Sequence, residues 1–146
     1  MRYSLLLLLL LLLFNCDHRQ SAITEILAAD SAFSSLSKKE GMNSAFLHYI
    51  DEQGVLLRPN TYPIVGKNKI NELFSLQSDS AFTLTWEPLF ADAAHSGEMG
   101  YSYGKHTLKT SKSTSFGTYV SVWKKVNNQW KFVLDCGNEG LGKEED

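Results

Sequence analysis

Apolar positions recur along this chain with two periods. From Ser21 to about Lys39 they return every three or four residues, at Ile23, Ile26, Ala29, Phe33 and Leu36, which is one face of a helix. Ser21 is placed to cap that helix, Glu25 stands in its first turn, and Gly41 stops it. Asp30 falls at the edge of the stripe. Met42, Ala45, Phe46 and Tyr49 predict a second helix starting near Asn43, with His48 off the stripe and exposed. Asp51 to Gly54 reads as a turn, and Val55 to Leu57 as a short strand closed by Arg58 and Pro59. After a loop through Tyr62 and Pro63, Gly66 opens a third helix with Ile70, Leu73, Phe74 and Gln77 on one side. Ser78 to Ser80 ends it.

From Phe82 the period falls to two. Thr83 to Glu87 alternates, and Pro88 marks an edge or a bend. Ala91 to Ser96 continues as a weaker strand. Gly97 to Gly100 makes a tight turn, Tyr101 to Leu108 is the next strand, and Lys109 to Ser115 is a polar connection. Gly117 to Val126 and Gln129 to Gly137 flank Asn127 and Asn128, a hairpin signal. On it Tyr119, Ser121 and Trp123 share one face; Val120, Val122 and Val126 share the other. Neither face is polar, which predicts a strand pair covered on both sides. Helices first and four antiparallel strands afterwards give an α+β domain over residues 21–140, with helices on one face of the sheet. The acidic end, residues 141–146, is a solvated, flexible tail.

The first fifteen residues belong to a different object. Arg2 precedes nine leucines, Leu5 to Leu13, and then Phe14. As a helix this run reaches only ~15 Å, about half a bilayer core, so it is a signal-peptide apolar region and not a spanning helix. Asn15 and Cys16 follow directly, the mark of a bacterial lipoprotein signal, with an ordinary secretory signal as the alternative: in the lipoprotein reading residues 1–15 are removed, Cys16 is lipidated, and residues 16–20 form a short tether. The expected location is the cell envelope, the membrane being held through Cys16 by several acyl chains. The tether keeps the domain within ~20 Å of the bilayer. The mature chain carries thirteen Lys and Arg against sixteen Asp and Glu, which gives no basic surface for nucleic acid. With Cys16 lipidated, Cys136 has no disulfide partner and reads as a small buried apolar side chain.

Several stretches together resemble a known family. They are Ala29 to Phe33, Gly41 and Met42, Gly54 to Pro59, Val65 to Lys67, Thr85 to Pro88, Ser96 to Gly104, Gly117 to Trp123 and Trp130 to Gly137. With the order of elements they are similar to the nuclear transport factor 2-like superfamily, shared with ketosteroid isomerases and SnoaL-like cyclases. More narrowly they resemble the bacterial domain of unknown function 4440. The resemblance implies a cone-shaped, curved antiparallel sheet (cystatin-like) with three helices packed on one face. The fold hosts enzymes, binding modules and dimerisation domains, so it does not fix an activity.

The isomerase members, as the resemblance implies, need a general-base Asp before the Pro that follows the second helix, a Tyr on the first helix and a neutral Asp on a late strand. Here those positions hold Arg58, Ala32 or Phe33, and Val120 or Val122. Arginine accepts no proton at ordinary pH. The expectation is therefore a non-catalytic pocket that binds a small apolar or anionic molecule, or a domain that forms a homodimer. The alternative is a lyase, isomerase or cyclase acting on a small hydrophobic substrate with another set, such as Asp30, His106 and Tyr103. Asp30, Arg58, Trp86, Tyr103 and Tyr119 are the candidate ligand-binding residues. Arg58 suits a carboxylate or phosphate, unless it pairs with Asp30 or Asp135. The four histidines lack metal-ligand spacing, so neither metal nor cofactor is expected.

Overall fold

A computed structural model describes residues 18–76 and 78–141. The signal segment, Cys16, Gln77 and the tail beyond Leu141 lie outside the described residues. Three helices, α1 (His18–Glu40), α2 (Met42–Tyr49) and α3 (Lys67–Ser75), alternate with or precede six strands. The strands are β1 (Ile50–Leu57), β2 (Ile64–Val65), β3 (Phe82–Ala93), β4 (Met99–Thr110), β5 (Thr114–Val126) and β6 (Gln129–Glu139). They form one sheet in the order β2-β1-β6-β5-β4-β3. All neighbours are antiparallel except β1 and β6, which run parallel. Among the described residues no helix is long and apolar enough to cross a membrane.

The core sits between the helices and the concave face. Ile26 and Phe33 of α1, Phe46 of α2 and Ile70 and Phe74 of α3 are buried against Trp123, Trp130 and Phe132. Phe33 is the hub of this aromatic cluster, stacked on Phe132 at 5.5 Å and edge-on to Trp86 at 4.5 Å. The α1–α2 corner is tight: Gly41 has φ 91°, where a Cβ is strained, and the Asp79 carboxylate accepts the Asn43 backbone N–H at 2.7 Å.

Several sequence expectations change. Asp51 to Gly54 is not a turn but an irregular stretch of β1, where the register shifts between Ile50 and Val55. β3 runs unbroken through Pro88 to Ala93, because a bulge at Leu89 absorbs the proline; β3 is an edge strand, as Pro88 indicated. The polar connection of 109–115 shrinks to residues 111–113, most of it joining β4 and β5. Among the described residues the final hairpin is covered on one side only. The helices take the Tyr119, Ser121 and Trp123 face, and Val120 and Val122 look outward.

α1 packs along the free edge of β3 and presents a polar stripe to it. Ser34 Oγ donates to the Trp86 carbonyl at 2.7 Å and accepts the Trp86 N–H at 2.8 Å. Ser37 Oγ donates to the Leu84 carbonyl at 2.7 Å. Arg19 pairs with Asp92 and donates to the Ala93 carbonyl. An edge strand exposes unpaired backbone groups, and these side chains satisfy several of them.

Candidate functional site

At the end of the sheet where α1 gives way to α2, the concave face leaves an open cavity of about 430 Å3. Its walls are mostly apolar: Met42, Phe46, Leu56, Phe82, Leu84 and Leu108. Trp86 and Tyr119 form part of its lining, and Arg58, His106, Asp135 and Glu139 supply its polar groups. A cavity of this size, apolar with few polar groups, has the character of a small-molecule site.

Behind the lining lies Asp30, 0% exposed. Its Oδ1 accepts the Trp86 indole N–H at 2.7 Å. Its Oδ2 accepts the Ser102 hydroxyl at 2.6 Å and the Tyr119 hydroxyl at 2.7 Å. Ser102 in turn accepts the Trp123 indole N–H at 2.8 Å. Burial raises the Asp30 pKa, and the bonds from Ser102, Tyr119 and Trp86 pull it back. Burial and the Asp30 charge push the Tyr119 hydroxyl far up, so it stays a donor. Asp30 therefore orients two lining rings; it does not itself line the cavity. Far from sitting at the edge of α1's stripe, it is the most deeply buried polar group of that helix.

Asp135 is the inner acid of the wall, and Glu139 is exposed. Its Oδ2 accepts the Ser121 hydroxyl at 2.7 Å. Burial raises its pKa to about 6, the Asp30 charge adds to the rise, and the Ser121 bond and the Arg58 charge oppose it. Alternation from Trp130 and Phe132 would put Leu134 inside and Asp135 outside. A bulge reverses this: Trp123 pairs with Phe132 but Val122 pairs with Leu134, so Val133 is the extra residue and Asp135 turns inward.

Arg58 leans over the Phe74 ring, with its guanidinium carbon 5.3 Å from the centroid. Among the described residues no carboxylate lies within ion-pair distance of it. Neither structural bridge weighed from the sequence, to Asp30 or to Asp135, is formed. Burial lowers its pKa, and the Asp135 charge acts against that.

His106 lies over a floor made by Gly117. A Cβ at 117 would collide with the Asn138 carbonyl and with the His106 ring. His106 Nε2 is 3.0 Å from the Asn138 carbonyl, and its buried Nδ1 has no partner among the described residues.

Of the candidates, Asp30, Arg58, Trp86 and Tyr119 gather at one place. Tyr103 does not. It lies on the outer face, exposed and stacked on Phe90 at 5.4 Å, because its strand position has the opposite parity from Ser102 and His106. The set Asp30, His106 and Tyr103 is thereby broken. Val120 and Val122, matched above to the late-strand acid of the isomerases, both face outward, and the concave wall carries Tyr119, Ser121 and Asp135. Cys136 is a free thiol, half-buried and paired with Val120 on the outer face, not a core side chain. His95 is exposed in the β3–β4 turn and does not meet His106. Among the described residues no three His, Cys, Asp or Glu side chains are grouped to hold a metal.

The same arrangement of helices and curved sheet is found in solved structures. An NTF2-like protein with a cystatin-like fold from Novosphingobium aromaticivorans aligns with a TM-score of 0.63 at 14% identity, over 78% of this chain and 79% of that one. The fold is nuclear transport factor 2-like. A ketosteroid isomerase-like protein from Erwinia carotovora atroseptica shares this nuclear transport factor 2-like architecture with a TM-score of 0.67 and 16% identity, over 88% of this chain and 100% of its own. An LEH-like epoxide hydrolase from M. tuberculosis aligns with a TM-score of 0.59 at 13% identity, over 81% and 84% of the two chains. No family model matches the sequence. No curated protein matches it in sequence. At these identities the nuclear transport factor 2-like fold is shared, and the activity is not thereby assigned.

Proposed function

We propose that this chain is a cell-envelope lipoprotein whose cone cavity binds a small apolar molecule bearing an anionic group. The observation that carries the reading is Arg58: a cation in the wall of an apolar cavity, with no ion-pair partner among the described residues. The polar lining is held in place from behind, Tyr119 and Trp86 by Asp30, and Asp135 by Ser121. The lipoprotein part rests on Leu5 to Leu13 and Cys16, and the narrower likeness to domain of unknown function 4440 rests on the motifs given above. Trp86 lines the cavity, so decanoate should shift tryptophan emission on binding. Arg58→Ala should weaken that binding by about tenfold to a hundredfold, the worth of a hydrogen bond to a charged group. Equal affinity in Arg58→Ala and the parent would sink the reading.

A second reading is an enzyme of the lyase, isomerase or cyclase kind. Asp135 favours it: a carboxyl near pKa 6 in a cavity is suited to general-base work near neutral pH. Its set would be Asp135, Arg58 and Tyr119 in place of Asp30, His106 and Tyr103.

A further inference from the structure

We propose that the cavity takes up its anionic ligand together with a proton, which Asp135 accepts from solvent. The inference rests on the anion-binding reading above and adds which ligands fit and how the site responds to pH. Its basis is the charge count of the wall. Arg58 brings one positive charge, and Asp135 on β6 one negative charge, in one cavity but not in contact. An anion settling on Arg58 adds a second negative charge and shields Asp135 from the guanidinium that opposes its protonation. Asp30 of α1, walled off from solvent behind Tyr119, makes the region more negative still.

The other groups around Asp135 do not relieve this. β5 contributes Ser121, already donating to Asp135, and Tyr119, already donating to Asp30. β4 contributes His106, with Nε2 committed to the Asn138 carbonyl. α2 brings only Met42 and Phe46, and Glu139 on β6 is exposed at the rim. One proton on Asp135 cancels the charge that a monoanion adds, so the region keeps the net charge of the free site, with a neutral carboxylic acid free to donate to the ligand's oxygen. A dianion such as phosphate leaves one charge uncompensated, so the ligand class is an apolar monoanion.

The sign follows from linkage. In the free protein Asp135 titrates near pH 6 and is mostly ionised at pH 7.5. A bound anion lifts that pKa, so binding takes up a proton at any pH between the two values, and affinity rises as pH falls. Each unit of lift is worth up to about tenfold in affinity at low pH.

The test is calorimetric titration of the full chain with 1-octanesulfonate, whose head group stays ionised throughout, so that any pH dependence belongs to the protein. Binding should be about fivefold or more tighter at pH 5.5 than at pH 7.5. Heats at pH 7 in two buffers of different ionisation enthalpy should report uptake of a fraction of one proton, a measurement that needs no variant. Asp135→Asn, which still accepts the Ser121 bond, should bind with an affinity independent of pH. Equal affinity at both pH values with no proton uptake overturns the proposal and leaves the anion site standing. pH dependence surviving in Asp135→Asn overturns it in favour of another group, such as His106. No binding at either pH overturns it together with the anion site.

Discussion

Asp30 is the residue on which the cavity lining depends. Three donors from three different strands end on its two oxygens: the Trp86 indole from β3, the Ser102 hydroxyl from β4 and the Tyr119 hydroxyl from β5. A buried carboxylate is tolerable only when satisfied in this way. Removing it leaves three buried donors without an acceptor, each costing on the order of 1–3 kcal/mol. Asp30→Ala should therefore lower stability by about 3–5 kcal/mol in urea denaturation, with Asp30→Asn losing less. A loss below about 1 kcal/mol would mean that the network relaxes onto water, and that Asp30 does not hold the lining. Asp30, Trp86 and Tyr119 could be named from the sequence as residue types suited to a site. Their mutual geometry could not, because they lie 33 to 89 positions apart along the chain.

At the scale of elements, the unusual partnership is α1 with β3. A helix facing the core ordinarily shows a continuous apolar stripe, yet α1 buries Asp30, Ser34 and Ser37 alongside Ile26 and Phe33. The serines are explained by the edge of β3, whose backbone groups they satisfy in place of a neighbouring strand. Ser34→Ala leaves the Trp86 carbonyl and N–H unpaired beside the cavity, and Ser37→Ala leaves the Leu84 carbonyl. Each should cost about 1–2 kcal/mol, with faster amide exchange at Trp86 in Ser34→Ala; protection there equal to the parent's would refute the clip. The helices, the hairpin and the edge position of β3 were legible from period, turn residues and Pro88. The bulges at Leu89 and Val133 were not. Each inserts a single residue that inverts the parity of everything after it, and neither carries a distinctive residue type. For that reason Asp135 was weighed only as a bridge partner for Arg58 and not as an acid of the cavity wall.

At the scale of the whole molecule, two surfaces point outward from the cavity. One is the outer sheet face. Phe90, Tyr103, Val120 and Cys136 lie in one cross-strand row, and Tyr101, Val122 and Leu134 in the next, with no helix of the described residues over them. An uncovered apolar band of this kind suits a second copy of the chain. Tyr103→Asp should lower the sedimentation coefficient to that of a monomer without loss of secondary structure, and a parent that sediments as a monomer rules the dimer out. The other is the amino-terminal side, where Cys16→Ser should release the protein from the membrane fraction if lipid holds it there. Composition and period alone determined the α+β class, the order of elements apart from β2, and the leader-like leucine run. Those are properties of neighbours in the chain, decided by propensity and burial within a few residues. Only the tertiary structure decided that Tyr103 faces out, that Asp135 faces in, and that Arg58 stands without an ion-pair partner among the described residues. Strand parity, bulges and the meeting of β1 with β6 join residues far apart in sequence, and a local pattern cannot encode which of them will touch.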